Sequence, residues 1–429
     1  MKPLFICVMI AAAAAAGEPL GAADSLFNGR DLDGWINVNG AHETWSVRGG
    51  EIVCSGEPYG FLRTEKQYEN YILELEWCHS VKGGNAGLFL HADALPSVGS
   101  PFPRSIEVQI MDGNGGDIFS IRGARLVPEK PHPSGWRRML PSENRNRPAG
   151  QWNRYRVLCR NGTVTLTVNG AVVGRAFHCI PRKGYICLES EGSEIRFRNI
   201  TLRELPGSEP DPAVVAEVDR GLRSIYNGVD LRGWVRVKGN EGHWIADNGI
   251  LRYDGKSEAE GEQQHLWTEE VYENFILCVD WRQPAEAELE PVPVVLPDGS
   301  TEVDEKGNEL RVAVPDAGDS GIYLRGSSKN QVNIWNWPVG SGEIWGYRTD
   351  DEMPAKVRAA ATPLISADND INEWNRFEIR LIGDRLTVKL NGSTVISEAT
   401  LPGIAPAGPL ALQHHGDPIE FANIFIKKL

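Results

Sequence analysis

Alternation of apolar and polar residues with a period of two runs along most of the chain and predicts β-strands. Clear examples are ILELEW at 72–77, IEVQI at 106–110 and TVTLTV at 163–168. Asn-Gly pairs such as Asn161-Gly162 indicate tight hairpin turns between strands. No stretch keeps a helical period for more than a turn or two. We therefore predict an all-β chain whose short antiparallel strands form two-sheet sandwiches of the jelly-roll type.

The same series of segments occurs twice, which indicates tandem domains. The matched blocks, each followed by its counterpart, are SLFNGRDLDGW (25–35) and SIYNGVDLRGW (224–234), YENYILELEW (68–77) and YENFILCVDW (272–281), GNAGLFLH (84–91) and GDSGIYLR (318–325), and CLESEGSEIRFRNITLREL (187–205) and ALQHHGDPIEFANIFIKKL (411–429). This order predicts two homologous domains, domain 1 at 24–206 and domain 2 at 222–429, joined by a linker at 207–221. An interval of about 200 residues is too long for a solenoid repeat.

The first 23 residues have the pattern of a secretory signal peptide. Lys2 precedes an apolar, Ala-rich run that ends at Ala16, and Ala23 is a small residue suited to a cleavage site. We expect cleavage near Ala23, with a site after Ala16 as the alternative, and export to the periplasm or the cell exterior. Six cysteines follow, and an oxidising compartment would permit pairing, for example of Cys179 with Cys187; buried free thiols are the alternative.

The charge balance excludes some classes of partner. The chain has 44 Lys and Arg against 58 Asp and Glu, a formal net charge of −14. A surplus of negative charge argues against nucleic acid and against an anionic membrane surface. No segment after the signal is long and apolar enough to span a bilayer. Neutral ligands such as sugars are compatible with this composition.

The ordered blocks resemble the 3-keto-disaccharide hydrolase domain family, which was long catalogued as a domain of unknown function. The motifs that carry the resemblance are LFNGRDLDGW, GNAGLFLH, EVQIMD and WNRY in domain 1 and LQHHG in domain 2. The resemblance implies two tandem concanavalin-like jelly-roll β-sandwich domains, each with a sugar-facing concave sheet. It also implies cleavage of 3-oxo-glycosides and a sugar 3-dehydrogenase that acts upstream.

The segment SIEVQIMD at 105–112 carries the main catalytic candidates. In a strand, Glu107, Gln109 and Met111 share one face. They cannot form the carboxyl pair that a glycosidase places ~5–5.5 Å or ~6.5–9.5 Å apart. A 3-oxo sugar needs less, because its ketone acidifies the C2 proton and a single carboxylate base then suffices. Glu107 as base and Gln109 as oxyanion donor fit this chemistry, with a divalent metal as a further electrophile.

Neighbouring positions supply further candidates in domain 1. In GNAGLFLH, Asn85 and His91 are expected on one face, with Asn85 binding substrate and His91 assisting proton transfer. Arg104 precedes the candidate strand and Asp112 follows it, so both are candidates for binding sugar oxygens. Domain 1 departs from the family's terminal motif, since it has LESEG at 188–192 in place of LQxHG.

Domain 2 has lost the carboxylates of the candidate strand. Gln331 stands where domain 1 has Glu107, and Asn333 stands where it has Gln109. If domain 2 is catalytic, its base must be Glu343 or one of the adjacent His414 and His415. The substrate-binding candidates of this domain are Arg325, Asn333, Trp335, Trp337, Tyr347, Arg348 and His415.

Two segments lie outside the repeated blocks. The stretch 118–148, which contains His132 and Trp136, is predicted as a long loop over the concave face. The acidic, Pro-rich insert at 284–316 in domain 2 is predicted as a solvated hairpin.

Two classes of function fit the sequence. The first is an exported enzyme that cleaves 3-oxo-glycosides by abstraction of the C2 proton, elimination and hydration. The alternative is a tandem lectin-like protein that binds carbohydrate without turnover, as the amides of domain 2 suggest. Retention of Glu107, Gln109 and Asp112 in one copy favours the enzyme, and a purely structural adhesion role is the third reading.

Overall fold

The computed structural model describes residues 22–135 and 137–429. The predicted secretory signal therefore lies almost entirely outside the described residues. The described chain consists mainly of antiparallel strands that form two β-sandwiches in tandem, one in each predicted domain. The prediction of an all-β, jelly-roll architecture is confirmed.

Domain 1 is a sandwich of a large and a small sheet. Its strands within the described residues are β1 (Asp24–Ser25), β2 (Trp35–Val38), β3 (Trp45–Arg48), β4 (Glu51–Cys54), β5 (Gly60–Thr64), β6 (Tyr71–His79), β7 (Asn85–Ala92), β8 (Ser105–Met111), β9 (Ile118–Ile121), β10 (Arg125–Pro128), β11 (Arg138–Met139), β12 (Asn153–Arg160), β13 (Thr163–Val168), β14 (Ala171–Ile180), β15 (Tyr185–Ser190) and β16 (Ile195–Glu204). The large sheet has the order β10-β14-β13-β12-β6-β16-β4-β3, with β1 beside β16. The small sheet has the order β11-β9-β8-β7-β15-β5-β2.

Domain 2 repeats this plan after a linker that holds a short 3-10 helix, Pro212–Val214. Its elements are β17 (Arg223–Ser224), β18 (Trp244–Asp247), β19 (Ile250–Tyr253), a 3-10 helix (Gly261–Gln264), β20 (Leu266–Trp267), β21 (Phe275–Arg282), β22 (Glu288–Pro293), β23 (Arg311–Asp316), β24 (Ser320–Leu324), β25 (Ser327–Ile334), α1 (Trp345–Arg348), α2 (Ala355–Ala360), β26 (Asn375–Ile382), β27 (Arg385–Leu390), β28 (Ser393–Thr400), β29 (Ala411–Leu412) and β30 (Ile419–Lys428). The large sheet is β18-β19-β30-β21-β26-β27-β28, with β17 beside β30, and the small sheet is β20-β29-β24-β25.

Alternation along the strands places the core between the two sheets of each domain. In β6, Leu73, Leu75 and Trp77 are buried in the core, and the residues between them are partly exposed. The hairpin that joins β12 to β13 turns at Asn161-Gly162, where both residues have positive φ, as the Asn-Gly pattern predicts.

The small sheet of domain 1 has an outer face, directed away from this core, that carries the candidate chemistry. Its strands pair in register: Glu107 of β8 lies opposite Phe89 of β7, and Glu189 of β15 lies opposite Phe61 of β5. Directly paired residues of antiparallel strands project from the same face. The outer face therefore combines carboxyl groups with aromatic rings, in two adjacent rows across the sheet.

Two predictions about irregular segments have different outcomes. The stretch 118–148 is not one long loop, because β9 and β11 extend the small sheet and β10 pairs with β14 of the large sheet. Trp136 of this stretch lies outside the described residues. The insert at 284–316 does contain a two-stranded hairpin, β22 with β23, as predicted.

Two further predictions concern the cysteines and membrane-spanning segments. The six cysteines after the signal are buried free thiols. In the described part of the chain no helix has both the length and the apolar character needed to cross a membrane.

Candidate functional site

Three glutamates of domain 1 lie together on the outer face of the small sheet. Glu107 is on β8 and Glu189 is on β15, one strand to either side of β7, and Glu191 follows just after β15. Glu107 is only 9% exposed and Glu189 only 2% exposed. They border a cavity of about 370 Å³, whose other lining residues are Asn85, Phe102, Gln109, Phe119, Ile121, Arg122 and Glu191.

Gly87 is the residue that allows the two buried carboxyl groups to approach each other. It lies on β7 opposite Gln109 and next to Glu189. A Cβ atom at this position would lie 2.6 Å from Oε2 of Glu189 and 3.1 Å from Oε1 of Glu107. The side chains of Glu107 and Glu189 therefore converge over the bare backbone of Gly87. Because both oxygens lie so near one point, Glu189 Oε2 and Glu107 Oε1 are at most about 6 Å apart, which is compatible with the ~5–5.5 Å separation of retaining glycosidases.

A chain of side-chain hydrogen bonds connects the cluster along its rim. Gln109 Nε2 donates to Asn85 Oδ1 at 2.5 Å, and Asn85 Nδ2 donates to Glu191 Oε2. Asn85 is held in place by Ser193, whose hydroxyl accepts a hydrogen bond from the Asn85 backbone N–H at 3.0 Å. Gln109 and Asn85 thus lie where the sequence predicts them, beside Glu107, with amide groups directed toward the cavity.

Burial raises the pKa of every glutamate in this cluster. The pKa of Glu107 is raised to about 8, mainly by burial and also by the charges of Glu191 and Asp117. Burial also raises the pKa of Glu189 well above its usual range, as do the neighbouring carboxylates. Oε2 of Glu189 has no hydrogen-bond partner among the described residues. Close carboxyl groups cannot all ionise together, so at neutral pH the cluster retains protons.

Glu189 and Glu191 are absent from the sequence predictions. They belong to LESEG, the motif that reads as a departure from the family pattern, whereas they align with Gln413 and His415 of domain 2. Strand alternation indicates only that Glu189 and Cys187 share a face. In the folded register, Phe61 lies on β5, two strands from β7, and Glu107 lies on β8, next to β7. Strand order brings the two glutamates together, and a single sequence does not contain it.

Three further predicted residues of domain 1 lie outside the cluster. The expectation that His91 shares a face with Asn85 is wrong: φ is +52° at His91, and its buried ring packs on Tyr71 with Nε2 3.0 Å from the Glu69 carbonyl oxygen. Burial lowers the pKa of His91 to about 4. Its position supports a structural role and not proton transfer.

Arg104 and Asp112 are also engaged in structural contacts. Arg104 forms a two-point ion pair with Asp93, with both N···O distances at 2.9 Å. The Asp112 carboxylate accepts backbone hydrogen bonds from Gly83 at 2.9 Å and from Ala149 at 2.7 Å. These contacts occupy the groups that were predicted to bind sugar oxygens.

The equivalent place in domain 2 is occupied by amides. Gln331 Nε2 donates to Gln413 Oε1 at 2.7 Å and to Asn333 Oδ1 at 2.6 Å. Gly321 is the counterpart of Gly87, since a Cβ there would lie 2.7 Å from Gln331 Nε2 and 3.0 Å from Gln413 Oε1. Domain 2 therefore keeps the geometry of the cluster but replaces its two central carboxyl groups with a hydrogen-bonded amide pair.

Glu343, the predicted base of domain 2, is fully buried beside Arg348. The Glu343 Oε1 to Arg348 Nε distance is 2.7 Å, and burial raises the pKa of Glu343 to about 7 although Arg348 opposes the shift. The backbone N–H of Asn333 donates to the backbone carbonyl of Glu343 at 2.9 Å. In domain 1 the backbone N–H of Gln109 donates in the same way to the backbone carbonyl of Asp117. Glu343 and Arg348 are thus close to the amide cluster.

The aromatic candidates of domain 2 differ in exposure. Tyr347 belongs to the core, where its hydroxyl donates to Asn330 Oδ1 at 3.2 Å, a position that supports a structural role. Trp335 is 1% exposed and stacks on Trp337, with ring centroids 3.9 Å apart. Only Trp337 of this pair is partly exposed.

The remaining candidates of domain 2, one arginine and two histidines, also differ in exposure. The buried Arg325 guanidinium donates to the backbone carbonyls of Glu273, Gly383 and Ala405, so a role in binding sugar is not supported. His414 contacts the Tyr253 hydroxyl through Nδ1, and its Nε2 lies 3.2 Å from Gln264 Nε2. His415 is half exposed, with Nδ1 3.6 Å from Asp417.

Across residues 22–135 and 137–429 no group of three or more His, Cys, Asp or Glu side chains is arranged to hold a metal ion.

Known structures similar to this chain each match about the length of one domain. A candidate glycosyl hydrolase from Parabacteroides distasonis has 24% identity and a TM-score of 0.34, covering 42% of this chain and 93% of its own. The β-glucanase of Bacillus licheniformis has 14% identity and a TM-score of 0.32, covering 43% and 99%. The carbohydrate-binding module CBM66 of Bacillus subtilis has 12% identity and a TM-score of 0.31, covering 40% and 96%. A comparison with curated protein sequences found no match.

The family comparison covers nearly all of the described chain. The sequence model of the 3-keto-alpha-glucoside-1,2-lyase-like domain matches residues 22–203 and again residues 221–427. The two matches correspond to the two sandwiches, which confirms the resemblance stated from the motifs. The chain is a carbohydrate-active protein that belongs to the 3-keto-alpha-glucoside-1,2-lyase-like family, with two copies of the domain in tandem.

Proposed function

We propose that domain 1 is a catalytic domain that cleaves 3-oxo-glycosides, with Glu107 as the base that removes the C2 proton. The observation that carries this proposal is the convergence of Glu107 and Glu189 over Gly87 in a small cavity. The family match supports the substrate class.

The reaction needs one base and one acid, and no external oxidant or reductant. The base takes the C2 proton, and the electron pair of the C–H bond moves into an enediolate stabilised by the C3 ketone. Expulsion of the C1 oxygen substituent then forms a C1–C2 double bond, restores the ketone and requires a proton for the departing oxygen. Water adds at C1 and a proton returns to C2, so the net change is hydrolysis of the glycosidic bond.

The cluster can supply both proton-transfer roles because its members do not ionise together. Glu107, with a pKa raised to about 8, is partly ionised near neutral pH and can act as the base. Burial raises the pKa of Glu189 well above the usual range, so Glu189 can hold a proton and donate it to the departing oxygen. Pairs of carboxyl groups whose environments separate their pKa values commonly divide the acid and base roles.

The two amides next to the cluster can stabilise the enediolate oxygen. Asn85 uses one amide hydrogen on Glu191 and keeps a second, whereas the second hydrogen of Gln109 makes only a long contact of 3.4 Å with the Ala86 carbonyl. Donors held in place before the reaction stabilise developing negative charge without reorganisation. Gln109 and Asn85 are therefore assigned to substrate binding and oxyanion stabilisation.

The proposal also includes export of the protein and an upstream enzyme that makes its substrate. The signal pattern at 1–23 supports export, which N-terminal sequencing of the mature protein from culture would test. A 3-oxo substrate must be made by oxidation of a sugar at C3, and the chain has no dinucleotide-binding motif for that step. A sugar 3-dehydrogenase is therefore the class of enzyme that would act upstream.

A second candidate is a retaining glycosidase acting on unoxidised sugars. Strand β8 has no second carboxyl group beside Glu107, but Glu189 of β15 supplies one, with its Oε2 at most about 6 Å from Glu107 Oε1. The match to the 3-keto-alpha-glucoside-1,2-lyase-like domain favours the 3-oxo substrate over an unoxidised sugar.

The test is release of the C1 substituent, followed by NMR in D2O. The probes are 4-nitrophenyl 3-oxo-α-D-glucopyranoside and the same glycoside without the oxo group, each incubated with mature wild-type protein and with Glu107→Gln. We expect release from the 3-oxo probe alone, with deuterium at C2 of the product, and a loss of at least 1,000-fold in Glu107→Gln. Arms with and without EDTA report metal dependence.

Each other outcome has a definite meaning. Release from the unoxidised glycoside without deuterium at C2 would establish the glycosidase. Release that survives in Glu107→Gln would move the chemistry to domain 2, where Glu343 is the next base to test. Sugar binding without release from either probe would leave the lectin-like function.

A further inference from the structure

Domain 2 covers part of the face on which the carboxyl cluster of domain 1 lies. Phe61 and Phe89 of that face are fully buried, although they point away from the core of domain 1. They belong to one apolar cluster with Leu222 of the domain 2 N-terminus and with Cys278 and Phe425 of its large sheet. The small sheet of domain 1 is therefore packed against the large sheet of domain 2, next to the row that contains Glu107.

The connection between β7 and β8 completes this cover. It runs from 93 to 104 in domain 1, whereas the equivalent connection between β24 and β25 is only Arg325-Gly326. Phe102 of the longer connection lines the cavity beside Glu107 and contacts Phe89, with ring centroids 5.7 Å apart. The two-residue connection of domain 2 is too short to place a residue such as Phe102 at this end of its site.

Domain 2 holds this connection by its backbone through two buried side chains. Asp280, which is fully buried, accepts a hydrogen bond from the Gly99 N–H at 2.8 Å. Asn423 Nδ2 donates to the Ser100 carbonyl at 3.0 Å and to Asp280 Oδ2 at 2.6 Å.

A third side chain, Arg376, completes the contact. It binds Asp280 through Nε at 2.5 Å and donates to the Pro96 carbonyl at 3.0 Å. Buried charges that are paired and fully hydrogen-bonded are costly to break, so this contact is a firm anchor.

The equivalent surface of domain 1 keeps the corresponding hydrogen bond, from Asn199 Nδ2 to Glu76 at 3.1 Å, but in a more exposed setting. Asp280 and Arg376 correspond to Glu76 and Arg154 in the repeat, whose side chains are 26% and 60% exposed, against 0% and 22% in domain 2. The anchoring is thus a property of the domain 2 copy and not of the fold.

We infer that domain 2 closes one end of the domain 1 site, so that the site takes a terminal or single 3-oxo sugar unit and not a unit inside a longer glycan. An open concave sheet can bind a chain that passes across it, whereas a site that ends at Phe102 and the buried domain contact leaves no path in that direction. A cavity of about 370 Å³ suits a ligand at the small end of the ~300–1,000 Å³ range of ligand pockets. This inference rests on the proposed function for the identity of the reacting sugar.

Gly99 provides a way to open the closed end without touching the cluster. Its φ is +63°, and a Cβ there would lie 2.1 Å from Cγ of Trp374 in domain 2. Gly99→Ala should therefore push the 93–104 connection away from domain 2. Gly403→Ala is the matched control, because Gly403 also has positive φ but has nothing within 4 Å of its Cβ position.

The experiment compares two probes for binding and turnover. One is 4-nitrophenyl 3-oxo-α-D-glucopyranoside, and the other carries an additional glucose on O4 of the oxidised unit. We expect wild type and Gly403→Ala to bind the first probe at least 100-fold more tightly than the second, and Gly99→Ala to reduce this ratio at least tenfold. Hydrogen exchange of a peptide spanning 93–104 should be faster in Gly99→Ala only.

Equal binding of the two probes to wild type would overturn the inference, as would a ratio unchanged in Gly99→Ala despite faster exchange at 93–104. Failure to bind either probe would also overturn it. Failure of the proposed function is distinguishable, since the smaller probe would then bind with the expected selectivity but would not be cleaved.

Discussion

The two domains share a two-sheet plan and a central glycine but differ in the chemistry around that glycine. In domain 1, Glu107 and Glu189 converge over Gly87; in domain 2, Gln331 and Gln413 converge over Gly321. The amide pair satisfies itself with a hydrogen bond of 2.7 Å, whereas Oε2 of Glu189 has no partner among the described residues. The fold is compatible with either pair, so it does not require the carboxyl groups.

The difference indicates that the carboxyl pair of domain 1 is retained at a cost in stability. Buried carboxyl groups without partners are unfavourable, and the amides of domain 2 show that the same positions can be filled without that cost. Titratable groups whose pKa values are strongly shifted are concentrated at functional sites. Each of the following variants alters one member of the comparison and uses the other as its control.

The largest expected effect is on activity, from closing the space over the central glycine. In Gly87→Ala the new methyl group would contact both carboxyl groups, and we expect kcat/KM for a 3-oxo-glycoside to fall at least 100-fold. Gly321→Ala introduces the same crowding in domain 2 and should leave kcat/KM within twofold. Equal losses in the two variants would contradict the assignment of the reaction to domain 1.

The second effect is on stability, from placing a charge in the amide cluster. Gln331→Glu removes the donor to Gln413 and Asn333 and leaves acceptors facing one another. We expect the free energy of unfolding of domain 2 to fall by about 2–4 kcal/mol at pH 8, as for a buried charge without a partner. Urea unfolding measures it, with the exposed Glu398→Gln as the control for a change of charge alone.

The reverse substitution should stabilise domain 1 in a pH-dependent manner. Glu107 has a pKa of about 8 in the folded state, above its ordinary value of 4.5, so the folded state binds this proton more tightly than the unfolded state does. The stability from the protonated group is fully present below pH 4.5 and is lost as the pH rises toward 8. Glu107→Gln should therefore gain on wild type between pH 5 and pH 8, by about 3–4 kcal/mol, because wild type loses up to about 1.4 kcal/mol for each pH unit in this range.

Thermal unfolding at pH 5 and at pH 8 provides the measurement. A variant that gains equally at both pH values would show that Glu107 does not titrate as described.

The smallest expected effect is a shift in the pH profile. If Glu107 is the base, kcat/KM should rise with pH through about 8, because only its ionised form accepts the C2 proton. The charge of Glu191 raises the pKa of Glu107, so Glu191→Gln should move this rise to lower pH by roughly half a unit to one unit. His415→Gln, the matched change in domain 2, should not move it. A rise that is unchanged in Glu191→Gln would exclude electrostatic coupling between the two carboxyl groups.

The strands and the repeat could be read from the sequence because alternation and hairpin turns are local signals. Glu107, Gln109 and Asn85 were identified for the same reason, since each lies on a strand whose faces alternate. Glu189 was missed because its proximity to Glu107 depends on both strands flanking β7, a matter of strand order. His91 was misplaced because its positive φ interrupts the alternation, and nothing in GNAGLFLH marks that interruption.

The contact between the domains could not be predicted at all. Phe61 and Phe89 read as ordinary alternating strand residues, and only the folded chain shows that a second domain buries them. Asp280, Arg376 and Asn423 likewise have polar counterparts in domain 1, so their sequence alone does not distinguish an anchor from a surface cluster.

The most direct test of the central claim isolates proton abstraction from cleavage. The probe is 3-oxo-1,5-anhydro-D-glucitol, which has the acidic C2 proton but no substituent on C1 to expel, and NMR in D2O follows exchange at C2. We predict protein-dependent exchange with wild type and with Gln331→Ala, and exchange at the buffer rate with Glu107→Gln. Exchange that persists in Glu107→Gln, or that is lost in Gln331→Ala, would contradict the claim that the carboxyl cluster of domain 1 contains the base.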